Sequence, residues 1–172
     1  MTEGQTPATF SIDPYRASDR VALIEAIVDL QEVERAISDT RLPGAEVAEP
    51  YLAQLEKELS EKQGAMFVAR NSEEFVGFIT CLIEHDDDLT HTPASNVYGY
   101  ISDAYVAPAY RGQGIFLKLH AQAEQHLLQF PHITRVRINV MAENHAARTA
   151  YEKAGYAAEE VMMEKALPRD DI

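Results

Sequence analysis

The stretch VAPAYRGQGIFLKL, residues 106–119, constrains the fold more than any other part of the chain. It leads from an apolar segment rich in Tyr, Val and Ile (residues 96–108) into a helical stripe formed by Ile115, Leu119, Ala123, Leu127 and Phe130. A strict alternation follows at residues 135–140, with Val136, Ile138 and Val140 on one face. Strand, helix and strand in that order need a crossover connection, so the two strands are expected to lie parallel in one sheet.

The glycines of this stretch carry a chemical expectation as well. A helix start leaves backbone N–H groups unpaired at the positive end of the helix dipole. Gly112 and Gly114 let an anion approach that backbone, and Arg111 and Lys118 add positive charge, so a phosphate or pyrophosphate is the ligand group expected. The pattern is neither G-x-x-x-x-G-K-[ST] nor G-x-G-x-x-G, which removes a P-loop and a dinucleotide fingerprint. From these residues alone, a purely structural turn and an anion cradle stay equally open.

The remaining segments complete one domain over residues 1–172, with 1–14 and 168–172 expected to fray. Residues 18–38 form an amphipathic helix capped by Ser18 or Asp19, with Val21, Ile24, Ile27, Val28 and Ile37 near one face. A second helix takes Pro50 in its first turn and carries Leu52, Leu55 and Leu59. Residues 65–70 and 74–84 flank Asn71, Ser72 and Glu73 as an antiparallel hairpin. A helix ended by Gly155 comes next, and residues 156–167 are expected to close the sheet as a last strand. The outcome is a three-layer α/β or α+β domain with helices on the faces of a mixed sheet.

Composition narrows the partners. Twenty-eight acidic against 15 basic residues give a net charge of -13, which argues against a nucleic-acid face or an anionic membrane surface. The same field would favour a cationic partner, although solubility alone accounts for the charge and is the preferred reading. With no basic-apolar leader and no apolar run of spanning length, the expected location is cytoplasmic. The one cysteine, Cys81, lies in an apolar run and reads as a core residue. HDDDLTH, residues 85–91, matches neither a calcium loop nor a helical zinc pattern, so no metal is expected.

Two motifs together resemble the GNAT superfamily of acyl-CoA-dependent N-acyltransferases. In the core [QR]-x-x-G-x-[GA], Arg111 opens the pattern, Gly114 is its middle glycine, and Phe116 stands where Gly or Ala is usual. The later N-x-x-A-x-x-x-Y-x-x-x-G-[FY] is met by Asn144, Ala147, Tyr151, Gly155 and Tyr156. The likeness covers about residues 65–167, and the two leading helices suit it.

The resemblance implies a mostly antiparallel mixed sheet whose central parallel strand pair splays apart to admit acetyl-CoA. It implies that the backbone of Tyr105 and Val106 meets the pantetheine arm and that the N–H groups of Arg111, Gly112, Gln113, Gly114, Ile115 and Phe116 hold the pyrophosphate. Asn144 would bond the arm, Ala147 would leave room for it, and Tyr151 would contact the cofactor and protonate the departing thiolate. A phenol of pKa ~10 and a thiolate of pKa ~8.5 suit that exchange. Asp103 and Glu84 are the candidates for taking the ammonium proton, with a water chain as the alternative.

The acceptor implied is a primary amine of a small molecule or peptide, with a cationic one favoured by the acidic balance. A homodimer fits the resemblance too. Phe116 either narrows the pyrophosphate pocket or packs inward near Leu119 and Ala123, and the first case would leave a non-catalytic coenzyme A-binding or protein-interaction module.

Overall fold

The computed structural model describes residues 10–167. Its elements run β1 (Phe10–Pro14), α1 (Arg20–Arg35), α2 (Gly44–Glu61), β2 (Ala65–Asn71), β3 (Glu74–His85), β4 (Val97–Val106), α3 (Ile115–Leu127), β5 (Val136–Ile138) and α4 (His145–Lys153). The five strands form one sheet in chain order. All neighbours are antiparallel except β4 and β5, which are parallel as the crossover requires.

Because side chains alternate along a strand, the central strands feed two cores. Met66, Val68, Phe78 and Tyr105 face Leu23, Ala26 and Ile27 of α1 and Ala48, Leu52 and Leu55 of α2. On the opposite face, Phe67, Ala69, Ile79, Cys81 and Ile101 pack against Ile115, Leu119, Ala123 and Leu127 of α3. Each fully buried side chain of this size stabilises the fold by about 1.5–3 kcal/mol. Helices on both faces therefore follow from strands apolar on both sides.

Several elements depart from expectation. Residues 10–14 are ordered as β1 and pair with β2, whereas they were expected to fray. Phe10 and Ile12 pack toward the α3 core, but two apolar residues before a proline are too short a pattern to read as a strand. Residues 1–9 and 168–172 lie outside the described residues. The second helix begins six residues before Pro50, at Gly44, whose N–H is accepted by Glu32 Oε1 at 2.7 Å. Burial of Ala48 and Leu52 against α1 outweighs the backbone bond that Pro50 removes from the helix interior. In α1 the buried residues are Leu23, Ala26 and Ile27, while Val21 is exposed.

Residues 156–167 add no strand. Val161, Met162 and Met163 are exposed, so the expected closing strand is replaced by an unpaired segment and the parallel pair sits at the edge of the described sheet. At the end of α4 the Tyr156 N–H bonds back to Tyr151 O at 3.1 Å.

Close contact of β3 with β4 depends on Gly77, where an added Cβ would stand 2.5 Å from the Tyr105 carbonyl oxygen. Gly77→Ala is expected to cost about 1–3 kcal/mol, as overpacking against backbone does. A lower urea midpoint at constant m value checks this, and an unchanged midpoint would mean that the two strands separate there without cost.

Candidate active site

The site begins with an irregularity in β4. Thr80 pairs with Asp103 but Cys81 pairs with Ile101, so Ser102 is an extra residue in the ladder. Such a bulge shifts the side-chain phase by one. Ile101 and Ala104 consequently share the α3 face, while Asp103 and Tyr105 turn toward α1 and α2. Past Ile101, β4 has also lost its parallel partner, because β5 ends at Ile138. The strand continues to Val106 with one edge bare.

That edge runs into the glycine loop. A short 3-10 turn, Pro108–Tyr110, leads to Arg111, and α3 starts at Ile115 behind Gly114. Gly112 and Gly114 have φ of 77° and 76°, the left-handed region that favours glycine, and a Cβ at either would meet nothing. They are there for backbone conformation, not close packing. No side chain caps α3, and among the described residues nothing accepts from the N–H groups of Gly112 to Leu117. Gln113 turns its amide back to the Ala109 carbonyl at 3.4 Å. The donor set and its exposure suit a phosphate or pyrophosphate. Arg111 Nε donates to the Val106 carbonyl at 2.9 Å, so the guanidinium bridges the cradle and the bare strand edge.

Phe116 does not turn toward the cradle. Its ring centroid lies 5.6 Å from that of Tyr151 and 5.7 Å from His120, and it packs onto the α3 core with Ile115. Of the two alternatives, the inward packing is the one observed.

Asp103 is buried at 8% exposure and is held by hydroxyls. Tyr51 donates to its two carboxylate oxygens at 3.0 and 2.9 Å, and Thr80 Oγ1 lies 3.3 Å from Oδ2. Burial raises its pKa from the ordinary carboxyl value, against hydrogen bonds from Tyr51, Ser102 and Thr80 that pull it down. Tyr151 is pushed up to about 12, first by burial and then by the charges of Asp103, Glu34 and Tyr100. The phenol therefore stays protonated throughout the neutral range.

The other expected residues are distributed as follows. Glu84 is ion-paired with Lys62 at 2.6 Å, which occupies it. Tyr105 donates its hydroxyl to Asp29 at 2.8 Å and is part of the α1–α2 core, and its backbone carbonyl faces Gly77 of β3, not the bare edge. Asn144 caps α4 by accepting from the Ala147 N–H at 3.1 Å. Tyr51 and Thr80 carry no signal in the sequence, and Tyr156 is marked there only as the last position of the second motif. Tyr51 stands beside Leu52 in an ordinary helical pattern, and only the tertiary contact with Asp103 marks it. Cys81 is buried, with its thiol pushed up to about 12 by desolvation, which makes it inert.

Comparison with known proteins bears on the family and the fold. The family model described as the acetyltransferase (GNAT) family matches residues 26–156. Among solved structures, the apo aminoglycoside 6'-N-acetyltransferase AAC(6')-IG from Acinetobacter haemolyticus is 18% identical, with 93% of this chain and 99% of that one covered at a TM-score of 0.68. The glucosamine-6-phosphate N-acetyltransferase from Arabidopsis thaliana is 20% identical over 93% and 99%, at 0.64. AAC(6')-Iy, in complex with the bisubstrate analog CoA-S-monomethyl-acetylneamine, is 16% identical over 93% and 99%, at 0.67. At such identities the structures share the fold. No curated protein matches the chain.

Asp103 gives the site a pH signature. Its folded carboxyl binds a proton more tightly than the unfolded one, so its stabilising contribution is complete below pH ~3.9 and is lost as pH rises through the folded titration. Relative to Asp103→Asn, the wild type is expected to lose stability across that rise. Thermal unfolding of both proteins at a series of pH values checks it, and parallel curves would refute the raised titration.

Proposed function

The chain belongs to the acetyltransferase (GNAT) family, and on that premise we propose that it transfers an acetyl group from acetyl-CoA to a primary amine, with Tyr151 as general acid. The observation that carries this reading is the bare edge of β4. It runs from Ser102 to Val106 into a cradle of unbonded N–H groups, within the charge field that also contains Tyr151 and Asp103. An extended pantetheine arm suits such an edge as an added strand would, with a pyrophosphate at the helix start.

Bound acetyl-CoA would supply a thioester carbon open to a neutral amine. The nitrogen forms the amide bond as the carbon–sulfur bond breaks, and the electron pair leaves on sulfur. Tyr151 gives its proton to that sulfur, and the proton the nitrogen sheds as the amide forms restores the phenol. Its raised pKa keeps the proton on the phenol until negative charge develops nearby. Asp103 takes the proton that the ammonium must lose, directly or through water. A carboxyl whose pKa is raised by burial is a better base than an exposed one, and Glu84, held by Lys62, is the weaker candidate.

For the acceptor we favour a cationic small molecule. Asp103 is a buried carboxylate bonded by neutral hydroxyls, and the chain carries a net charge of -13. Aminoglycoside and glucosamine-6-phosphate N-acetyltransferases among the structural neighbours act on amino sugars, which suits the same chemistry. Weighing against a non-catalytic binding module is Phe116, whose ring packs against Tyr151 rather than over the loop.

Two measurements test the reading. Titration with acetyl-CoA is expected to give heat of binding at micromolar ligand, and its absence at high micromolar concentration removes the enzyme assignment. In a panel of amines followed by thiol release, Tyr151→Phe is expected to lower kcat by about 10²- to 10⁴-fold, as loss of a general acid does, while acetyl-CoA affinity holds. An unchanged rate would leave Tyr151 as a packing residue.

A further inference from the structure

His120 is a buried polar side chain that acetyl transfer, as described, leaves unused. It lies on α3 one turn after Phe116 and is 4% exposed. Its Nε2 is 2.9 Å from the Tyr156 hydroxyl, and its Nδ1 is 3.5 Å from Glu124 Oε2. An Nδ1–H facing that carboxylate leaves Nε2 to accept from the Tyr156 O–H. Burial disfavours the imidazolium, with Glu124 acting in the opposite sense, so the neutral ring that can accept is the favoured form.

Tyr156 reaches this position because of how α4 ends. Gly155 adopts φ 97°, its N–H bonds to Glu152 O at 3.0 Å, and the Tyr156 N–H bonds to Tyr151 O at 3.1 Å. That pair of bonds is the Schellman arrangement, which folds the residue after the glycine back over the last turn. The Tyr156 ring then meets the Tyr151 ring edge-on at 6.1 Å. Phe116, at 5.6 Å, supplies a second aromatic neighbour for Tyr151. The backbone turn explains the tyrosine pair. It does not explain why a histidine on another helix is buried with its nitrogen on the Tyr156 hydroxyl.

We propose that His120 is a positioning residue: by bonding the Tyr156 hydroxyl it fixes the Tyr156 ring, which together with Phe116 holds the Tyr151 ring in the orientation its acid role needs. The proposal rests on the reading of Tyr151 as general acid. His120 makes no contact with substrate in this scheme and exchanges no proton with it. Its effect passes through the hydrogen bond to Tyr156 and through its ring contacts with Tyr156 and Phe116, both of which touch the Tyr151 ring.

The test uses His120→Leu, Tyr156→Phe and His120→Gln, the last keeping a polar group where Nε2 stood, each made in the wild-type and in the Tyr151→Phe background. His120→Leu and Tyr156→Phe are expected to lower kcat by roughly 10- to 100-fold, the scale of a misplaced catalytic group, with KM for acetyl-CoA unchanged. His120→Gln is expected to recover most of that loss. In the Tyr151→Phe background neither substitution should slow the reaction further. Wild-type kcat in His120→Leu, or an equal loss in both backgrounds, would overturn the positioning role. Should His120→Leu fail to fold, Tyr156→Phe removes a single oxygen and decides the same question.

A readout free of turnover is the NMR signal of Tyr151 with 13C-labelled tyrosine rings. It is expected to shift or broaden in His120→Leu and return in His120→Gln, and an unmoved signal would also overturn the proposal. A wild-type rate for Tyr151→Phe alone would instead defeat the acid assignment, which keeps the two failures apart.

Discussion

Beyond Ile101, β4 has a neighbour on one edge only, and the rest of the site depends on that. The parallel ladder with β5 holds for three residue pairs, which fixes where β4 starts and leaves its far end open. Gly77 keeps the other edge tight by letting the Tyr105 carbonyl approach the β3 backbone. A strand held firmly on one side and open on the other is a rail of backbone groups, of which the Val106 carbonyl is taken by Arg111. The bulge at Ser102 turns Asp103 from the α3 side to the α1–α2 side along that rail. Each of these features is backbone geometry, and each positions chemistry without being chemistry itself.

The buried polar groups follow from that arrangement and would be costly without it. A carboxylate at 8% exposure survives because Tyr51 and Thr80 direct hydroxyls at it. Those donors offset the desolvation only in part, which is why burial remains the dominant influence on its proton affinity. The same negative site raises the phenol of Tyr151. A phenol that keeps its proton and a carboxyl that binds one more tightly thus have the same leading cause, the burial of each group.

The glycine loop works in the opposite way, by exposure. Its donors are left unbonded because positive φ at Gly112 and Gly114 turns the backbone outward ahead of α3. Phe116 is compatible with this because its side chain leaves on the other side of the helix, toward Tyr151 and His120. The residue that departs from the motif therefore serves the aromatic cluster at α4 without obstructing the cradle.

By itself the sequence determined whatever depends on period and on local backbone. The crossover of β4, α3 and β5, the hairpin of β2 and β3, the α3 stripe and the glycine start of α3 were all legible, because spacing and glycine placement are local properties. Tertiary structure decided the rest. β1 and the Gly44 start of α2 exist through packing that no short pattern encodes, and residues 156–167 add no strand although their pattern suited one. Asp103 was nameable as an acid near the site, but its burial, its Tyr51 partner and its facing depend on a one-residue bulge. His120 meets Tyr156 across 36 residues of chain. Contacts of that range cannot be read from a one-dimensional pattern, since their energy comes from desolvation in a pocket that exists only once the sheet and both its helical layers are assembled.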